Sequence, residues 1–309
     1  TLTNCTLHGN GSTGVYVSGS SARATVRNSL ITSHGSYGVY SSSVAPSVTY
    51  SDVWGNSSGK YGGAASAGTG AISSNPLFVN TTTNLRLTSN SPARNSASAG
   101  AAMGALPYTG DATPGLHGTL WSTTRITAAG SPYTVAGDLT VAPGVTVTVE
   151  PGVVLRFATS DLMGAGRNTS RAELTVLGRL DAVGTATNRV VLQATSAGAG
   201  NWHGLLVPAG ATGLTLQYAT VRDASYGLSL ESTAMTRLSD LTLTGNSTGL
   251  QVSGGAHALD ALDANANSNA ATVSGGALDL TNGLVAASSS YGVFVSGAGA
   301  VTLTNCTLH

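Results

Sequence analysis

The chain has 309 residues, of which 41% are hydrophobic and only 8% are charged, and its 13 basic residues balance its 13 acidic ones. A disordered chain would carry fewer aliphatic residues and more charge, and a nucleic-acid-binding protein would present a basic surface. Both classes are therefore excluded, and the absence of an apolar run of roughly 18 residues predicts no membrane span in this segment.

Residues 1–8 and residues 302–309 have the same sequence, which sets a period of 301 residues. This identity predicts that the chain is one window of a tandem array whose partners are further copies of the same repeat, joined head to tail. Arrays of large repeats build length, whereas an enzyme rarely gains from copying one active site end to end.

A shorter period of about 21–24 residues lies within the long one. Its units fall at 1–22, 24–45, 214–234, 236–256, 257–277 and 278–300. Each unit contains short segments of alternating apolar and polar residues separated by a Gly, Asn or Ser turn, which predicts strands with one inward face. We therefore expect each unit to form one coil of a β-solenoid, with coils stacked about 4.8 Å apart.

A glycine precedes the inward pair of strand residues in several coils. These glycines are Gly14, Gly38, Gly227, Gly249 and Gly292. The recurrence predicts a backbone position with positive φ or a tight bend.

Between the two sets of coils, the sequence contains stretches that resemble a known protein family. The stretches 50–56, 75–80, 85–100 and 103–108 resemble the C-terminal closure of right-handed parallel β-helices of the pectin-lyase-like superfamily, and 132–157, 174–185 and 201–207 resemble their opening. The chain is especially similar to large bacterial surface and secreted proteins with repeated β-helix units. The resemblance implies an all-β, right-handed parallel β-helix, but no particular activity.

These boundaries predict three segments. Residues 1–108 form the C-terminal part of one β-helix repeat unit, 109–115 a linker, and 116–309 the N-terminal and central part of the next unit. The Gly/Pro/Asp composition of the linker is compatible with a flexible joint or with packing between coils.

Two columns of side chains on successive coils are candidate interaction sites. One is an outward aromatic stripe of Tyr16, Tyr40 and Phe294, with Tyr37 and Tyr291 nearby. It either stiffens the sheet by stacking or forms a contact face for a neighbouring filament or a surface glycan. The other is a turn column of Asn4, Asn28, Asn282 and Asn305, whose amides are expected to form a hydrogen-bonded ladder.

Residue types that form disulfides, catalyse reactions or bind metals are sparse. Cys5 and Cys306 occupy one position of the period, in a column with Ser29, Ala219 and Gly283, which favours a small inward filler over an inter-chain disulfide. The densest acidic group comprises Asp240, Asp260, Asp263 and Asp279. These residues occupy different offsets of the coil and are expected to point in different directions. The histidines lie outside metal-ligand spacing and are expected in solvated turns.

We therefore expect no catalytic, cofactor or metal site. The sequence favours a structural extracellular fibre or adhesin stalk at the cell surface, built from tandem 301-residue β-helix repeats. The alternative is a carbohydrate-active β-helix enzyme or a glycan-binding module.

Overall fold

The structure is a computed structural model that describes residues 1–309, and nearly all of its regular structure consists of β-strands. The helical segments are the 3-10 turns Pro92–Arg94, Ser98–Gly100 and Ala128–Gly130. The chain divides into two compact units. Unit 1 comprises Thr1–Pro114 with Met163–Ala165, and unit 2 comprises Gly115–Leu162 with Gly166–His309.

Unit 1 contains three stacks of short parallel strands, because each coil contributes one strand to each stack. Its strands are β1 (Leu2–Thr3), β2 (Thr6–His8), β3 (Val15–Val17), β4 (Thr25–Arg27), β5 (Leu30–Thr32), β6 (Tyr37–Ser41), β7 (Ser47–Thr49), β8 (Asp52–Trp54), β9 (Gly59–Gly63), β10 (Phe78–Asn80) and β11 (Asn84–Leu87). The parallel stacks are β1-β4-β7, β2-β5-β8 and β3-β6-β9, and β10 pairs with β11 in antiparallel fashion.

The stretch expected to close unit 1 packs alongside its coils. Ile31 belongs to the coil interior, whereas the adjacent Leu30 packs with Leu87 and Met103 in a second apolar cluster. Ala105 donates its backbone N–H to Thr6 Oγ1 at 2.9 Å. The closing segment therefore covers the outer face of the β2-β5-β8 stack.

The segment expected to be a linker is hydrogen-bonded to unit 1. Ser89 donates its N–H to the carbonyl of Asp111 at 2.8 Å, and the Thr113 hydroxyl donates to Thr88 Oγ1 at 3.0 Å. Residues 111–113 are thus hydrogen-bonded to residues 88 and 89, in the stretch expected to close unit 1.

Unit 2 contains an eight-stranded parallel sheet and a larger sheet of thirteen strands. Its strands are β12 (Gly118–Leu120), β13 (Thr124–Ile126), β14 (Tyr133–Val135), β15 (Leu139–Val141), β16 (Thr146–Val149), β17 (Val154–Phe157), β18 (Glu173–Val176), β19 (Arg179–Val183), β20 (Val190–Ala194), β21 (Trp202–Val207), β22 (Gly213–Arg222), β23 (Ala224–Leu230), β24 (Met235–Thr244), β25 (Thr248–Val252), β26 (Ala256–Asn265), β27 (Asn269–Val273), β28 (Ala277–Thr281), β29 (Leu284–Ala286), β30 (Tyr291–Val295), β31 (Ala300–Thr304) and β32 (Thr307–Leu308). The eight-stranded sheet has the order β12-β15-β18-β21-β23-β25-β27-β30.

The core of unit 2 is a continuous column of aliphatic side chains inside the coils. Phe157 and Trp202 add a stacked aromatic pair with ring centroids 4.1 Å apart, and the Trp202 indole N–H donates to the carbonyl of Arg222 at 2.8 Å. Both units thus confirm the expected all-β solenoid, since stacked parallel strands enclose an aliphatic interior in each.

Candidate interaction surfaces and internal ladders

The column of Asn4, Asn28, Asn282 and Asn305 forms a corner of the coil. All four residues have a φ between 51° and 55°, a left-handed conformation that Asn tolerates better than most residues. The expected amide ladder does not form. The Asn28 Oδ1 accepts from the Ser98 N–H at 3.0 Å, and the Asn282 side chain donates to Asp260 Oδ1 at 2.8 Å. The corner conformation leaves the Asn4, Asn282 and Asn305 side chains exposed.

A different, buried ladder runs inside unit 2. The Asn246 Oδ1 accepts from the Ala224 N–H, and the Asn267 Oδ1 accepts from the Asn246 N–H, both at 2.9 Å. The same side chains donate to the carbonyls of Val221 and Leu243. Each amide therefore satisfies backbone groups of the preceding coil.

Unit 1 repeats this arrangement with a histidine. The Asn10 N–H donates to His34 Nδ1 at 3.1 Å, and the His34 N–H donates to Asn56 Oδ1 at 3.0 Å. In the sequence, Asn56 and Asn246 each begin an Asn-x-Ser/Thr motif, which does not indicate this role. The sequence signal that indicates this ladder is an Asn or His three or four residues before the recurrent glycine position of the coil.

The ladders correct our interpretation of the recurrent glycines, none of which has a positive φ. A Cβ on Gly249 would lie 2.6 Å from the carbonyl of Ala270 and 3.1 Å from Asn267 Nδ2, and a Cβ on Gly227 would lie 3.0 Å from Asn246 Nδ2. Glycine is needed at these two positions because the next coil's backbone and ladder amide approach closely.

The column that contains the cysteines is a ladder of small side chains in unit 1. The Cys5 N–H donates to Ser29 Oγ, and the Ser29 N–H donates to Ser51 Oγ, both at 3.1 Å. Cys5 and Cys306 are free thiols, and each lies 3.3 to 3.4 Å from the carbonyl oxygen two residues earlier. The thiol thus takes the place of a ladder hydroxyl.

The aromatic stripe is divided between the two units. In unit 1 the Tyr16 and Tyr40 rings are stacked with centroids 5.3 Å apart and planes 7° apart, and Tyr37 lies 5.4 Å from Tyr40. In unit 2 the Tyr291 and Phe294 ring centroids lie 5.1 Å apart. Tyr16 and Tyr291 are more than half exposed, so each cluster presents apolar area to solvent.

Next to Tyr291 and Phe294, the eight-stranded sheet carries a shallow groove of about 260 Å³. Its other lining residues are Tyr226, Thr248, Gln251, Asn269 and Thr272. The lining is aromatic at both ends and polar between them, and it contains no carboxylate. Aromatic rings beside amide and hydroxyl groups are suited to binding a neutral, hydroxyl-rich molecule.

A second groove, of about 370 Å³, corrects one expectation about the acidic residues. Asp260 and Asp279 line it together with Arg237, so these two aspartates share a face. Their strand positions differ by two residues, because Asp279 pairs with Ala258 and Asp260 with Thr281. Asp240 lies at the coil corner and Asp263 beyond it, away from this groove.

The most strongly perturbed carboxyl groups of unit 2 are buried. Asp138 Oδ1 accepts from the Glu173 N–H at 3.0 Å, while its Oδ2 has no hydrogen-bond partner. Burial, Glu173 and Asp161 raise the pKa of Asp138 to about 9, and burial also raises the pKa of Glu173. His203 lies beside the pair, with Nε2 3.9 Å from Glu173 Oε2.

The histidines also differ from expectation, since His34, His117 and His257 are buried rather than placed in solvated turns. No group of three or more His, Cys, Asp or Glu side chains is arranged to hold a metal ion. None of the helical segments has the length and apolar character that crossing a membrane requires.

Coils of parallel strands, an aliphatic column and internal ladders define a parallel β-helix. Residues 1–103 match the family model described as "Right handed beta helix region". The protein is a right-handed parallel β-helix, as the sequence resemblance implied. Comparison with curated proteins and with solved structures gives no match.

Proposed function

We propose that the protein is a structural repeat of an extracellular fibre or adhesin stalk, in which consecutive copies continue one β-helix. The supporting observation is the behaviour of the repeated octapeptide. Residues 1–8 and 302–309 adopt the same strand–corner–strand conformation, with φ of 52° at Asn4 and 51° at Asn305.

The two copies of the octapeptide pair on opposite edges. Leu2 pairs with Val26 in the following coil, whereas its equivalent Leu303 pairs with Leu280 in the preceding coil. An octapeptide inside a tandem array therefore has a compatible coil on each side, and the strand ladder passes through it unbroken.

Exposure of the second copy supports the same arrangement. The side chains of Leu303 and Leu308 are 38% and 50% exposed, whereas those of Leu2 and Leu7 are half-buried beneath a following coil. A further coil stacked on residues 300–308 removes apolar area from water and pairs open backbone groups, and both effects favour continuation.

The axial period of such a fibre follows from the rungs. Unit 2 contributes eight rungs and unit 1 three. At about 4.8 Å per rung, the repeat is expected to advance roughly 50 to 60 Å along the fibre.

The test is electron microscopy of a chain that contains three consecutive 301-residue copies. We expect thin rods with an axial period in the range of about 50 to 60 Å. Compact particles, or filaments without that period, contradict the proposal.

In this proposal the chain has no catalytic activity, and its exposed surfaces contact neighbouring filaments or surface glycans.

The alternative, a glycan-binding module, is supported by the aromatic-ended groove between Tyr226 and Phe294. Binding of neutral oligosaccharides that is lost in Tyr226→Ala but kept in Asp260→Asn favours this alternative.

An enzyme would use the other groove, where Arg237, Asp260 and Asp279 meet. We expect the wild-type protein to leave acidic polysaccharides intact, as followed by the release of reducing ends. Turnover that disappears in Asp260→Asn but persists in Asp263→Asn contradicts the structural assignment.

A further inference from the structure

The ring stack in unit 1 is closed on one side and open on the other. Tyr40 pairs in register with Tyr16 in the preceding coil and with Gly62 in the following coil. The stack therefore ends at Gly62, which has no ring to add. On the other side Tyr16 has no neighbouring coil, and its side chain is 60% exposed.

The last rungs of unit 2 have the complementary arrangement. Phe294 pairs with Thr272 in the preceding coil and is 40% exposed, and the adjacent Val295 is 46% exposed. A ring and an aliphatic side chain thus lie at the edge of the eight-stranded sheet with nothing stacked beyond them.

The register of the final coil shows which residues of another copy fit this edge. Ala277 pairs with Ala300, and Leu284 with Thr307, an advance of 23 residues in both cases. Because residues 302–309 have the same sequence as residues 1–8, the same advance from Phe294 arrives at position 16 of the next copy. It likewise places Val17 opposite Val295.

We infer that the edge formed by residues 291–309 binds the first coil of a second copy of this chain, and that Phe294 stacks on Tyr16 across the junction. This inference rests on the proposed tandem fibre and specifies its seam. Phe294, Tyr16 and Tyr40 then form one column of three rings, bounded by Thr272 and Gly62. Val295 and Val17 join the aliphatic columns of the two copies.

The geometry of the existing pair favours a ring as the occupant of the open side. The Tyr16 and Tyr40 planes differ by only 7°, and their ring centroids lie 5.3 Å apart, close to the spacing of adjacent strands. Tyr40 therefore covers one side of Tyr16 from the in-register position of the following coil. The open side of Tyr16 is the side on which a preceding coil stacks, so a ring at the in-register position of that coil meets Tyr16 in the same way.

The junction can be tested by disulfide trapping in a two-copy chain, residues 1–301 followed by residues 1–309. The native cysteines are changed to serine, Phe294→Cys is introduced in the first copy, and Tyr16→Cys in the second. Facing residues on adjacent strands lie about 4.8 Å apart, within the Cα separation that a disulfide requires. The matched control replaces Tyr16→Cys by Ser18→Cys, which lies two residues further along the chain, just after β3, and beyond that separation.

We expect the facing pair to oxidise at least tenfold faster than the control pair, as measured by non-reducing electrophoresis and peptide mass spectrometry. Equal rates, or faster oxidation of the control, in a chain that electron microscopy shows as a continuous rod overturn the ring pairing and leave the fibre proposal intact. A two-copy chain that forms two separate particles joined by a tether overturns the fibre proposal itself.

Discussion

The side-chain oxygen of Asn267 accepts a hydrogen bond at 2.9 Å from the backbone N–H of Asn246, one coil earlier in the chain. Both side chains are buried, and the amide of each also donates to a strand carbonyl. Coil turns leave backbone groups without strand partners, and a buried unpaired group is costly. The ladder therefore stabilises the coil turns, where strand pairing does not satisfy the backbone groups.

Asn267→Ala is expected to lower the free energy of unfolding by about 1 to 3 kcal/mol, since it leaves the Asn246 N–H and the Leu243 carbonyl without their partner. The measurement is urea denaturation followed by circular dichroism. Gln251→Ala is the control, because this outward amide belongs to no ladder and its loss should change stability by less than about 0.5 kcal/mol. Equal effects of the two substitutions would show that the ladder adds no stability.

Gly38→Ala is expected to destabilise unit 1, although Gly38 does not have a positive φ. The added Cβ would lie 2.6 Å from Asn56 Nδ2 and 2.8 Å from the carbonyl of Lys60, and overpacking of this kind costs about 1 to 3 kcal/mol. A Cβ on Gly11 would have no atom within 4 Å, so Gly11→Ala should be nearly neutral. Thermal denaturation of both variants, compared with the wild type, is the measurement. A neutral Gly38→Ala would refute the close-approach explanation of the recurrent glycines.

Two adjacent residues of β6 should respond in opposite ways to polar substitution. Val39 is completely buried in the coil interior, so Val39→Asp places a carboxylate without a partner there, and we expect a loss of several kcal/mol or failure to fold. Tyr40→Ser removes only an outward ring and should leave the circular dichroism spectrum unchanged, with a small drop in melting temperature. The reverse order of effects would mean that the inward and outward faces are misassigned.

Stability should depend on pH through Asp138. Its pKa is raised from 3.8 to about 9 in the folded protein, so the folded state holds this proton more tightly than the unfolded state does. The stabilisation is complete below about pH 4 and is lost as the pH rises towards 9, with a slope of at most about 1.4 kcal/mol per pH unit for one proton. Because Asp138 and Glu173 interact, the proton belongs to the pair.

Asp138→Asn should therefore flatten the decline in unfolding free energy between about pH 5 and pH 8, as measured by denaturant titrations at several pH values. Asp279→Asn, at an exposed carboxylate, is the matched control and should leave the wild-type profile in place. A profile that Asp138→Asn does not change would assign the decline to other groups.

How much of the protein was predictable depends on whether a feature follows a period along the chain. The alternation around Val15, Val17 and Val39 predicted strands and their inward faces. Val39 lies in the core, Val15 packs against it, and Val17 is buried. The outward positions of Tyr16 and Phe294 followed from the same alternation. The small, inward character of the Cys5 column was also readable, because Ser29 and Ala219 recur there one or more coils apart and both are buried.

The sequence by itself determined the β-helix, its coil length and the identity of the stacked columns, because residues one coil apart are placed on top of one another by the strand period alone. Only the tertiary structure decided which neighbour each side chain meets between columns. It separated the exposed corner asparagines such as Asn282 from the buried ladder of Asn246 and Asn267. It also brought Asp260 and Asp279 into one groove and placed Leu87 and Met103 on the outer face of a stack. The physical reason is that these relationships depend on the corner conformation and on close approaches between coils, which local alternation does not encode.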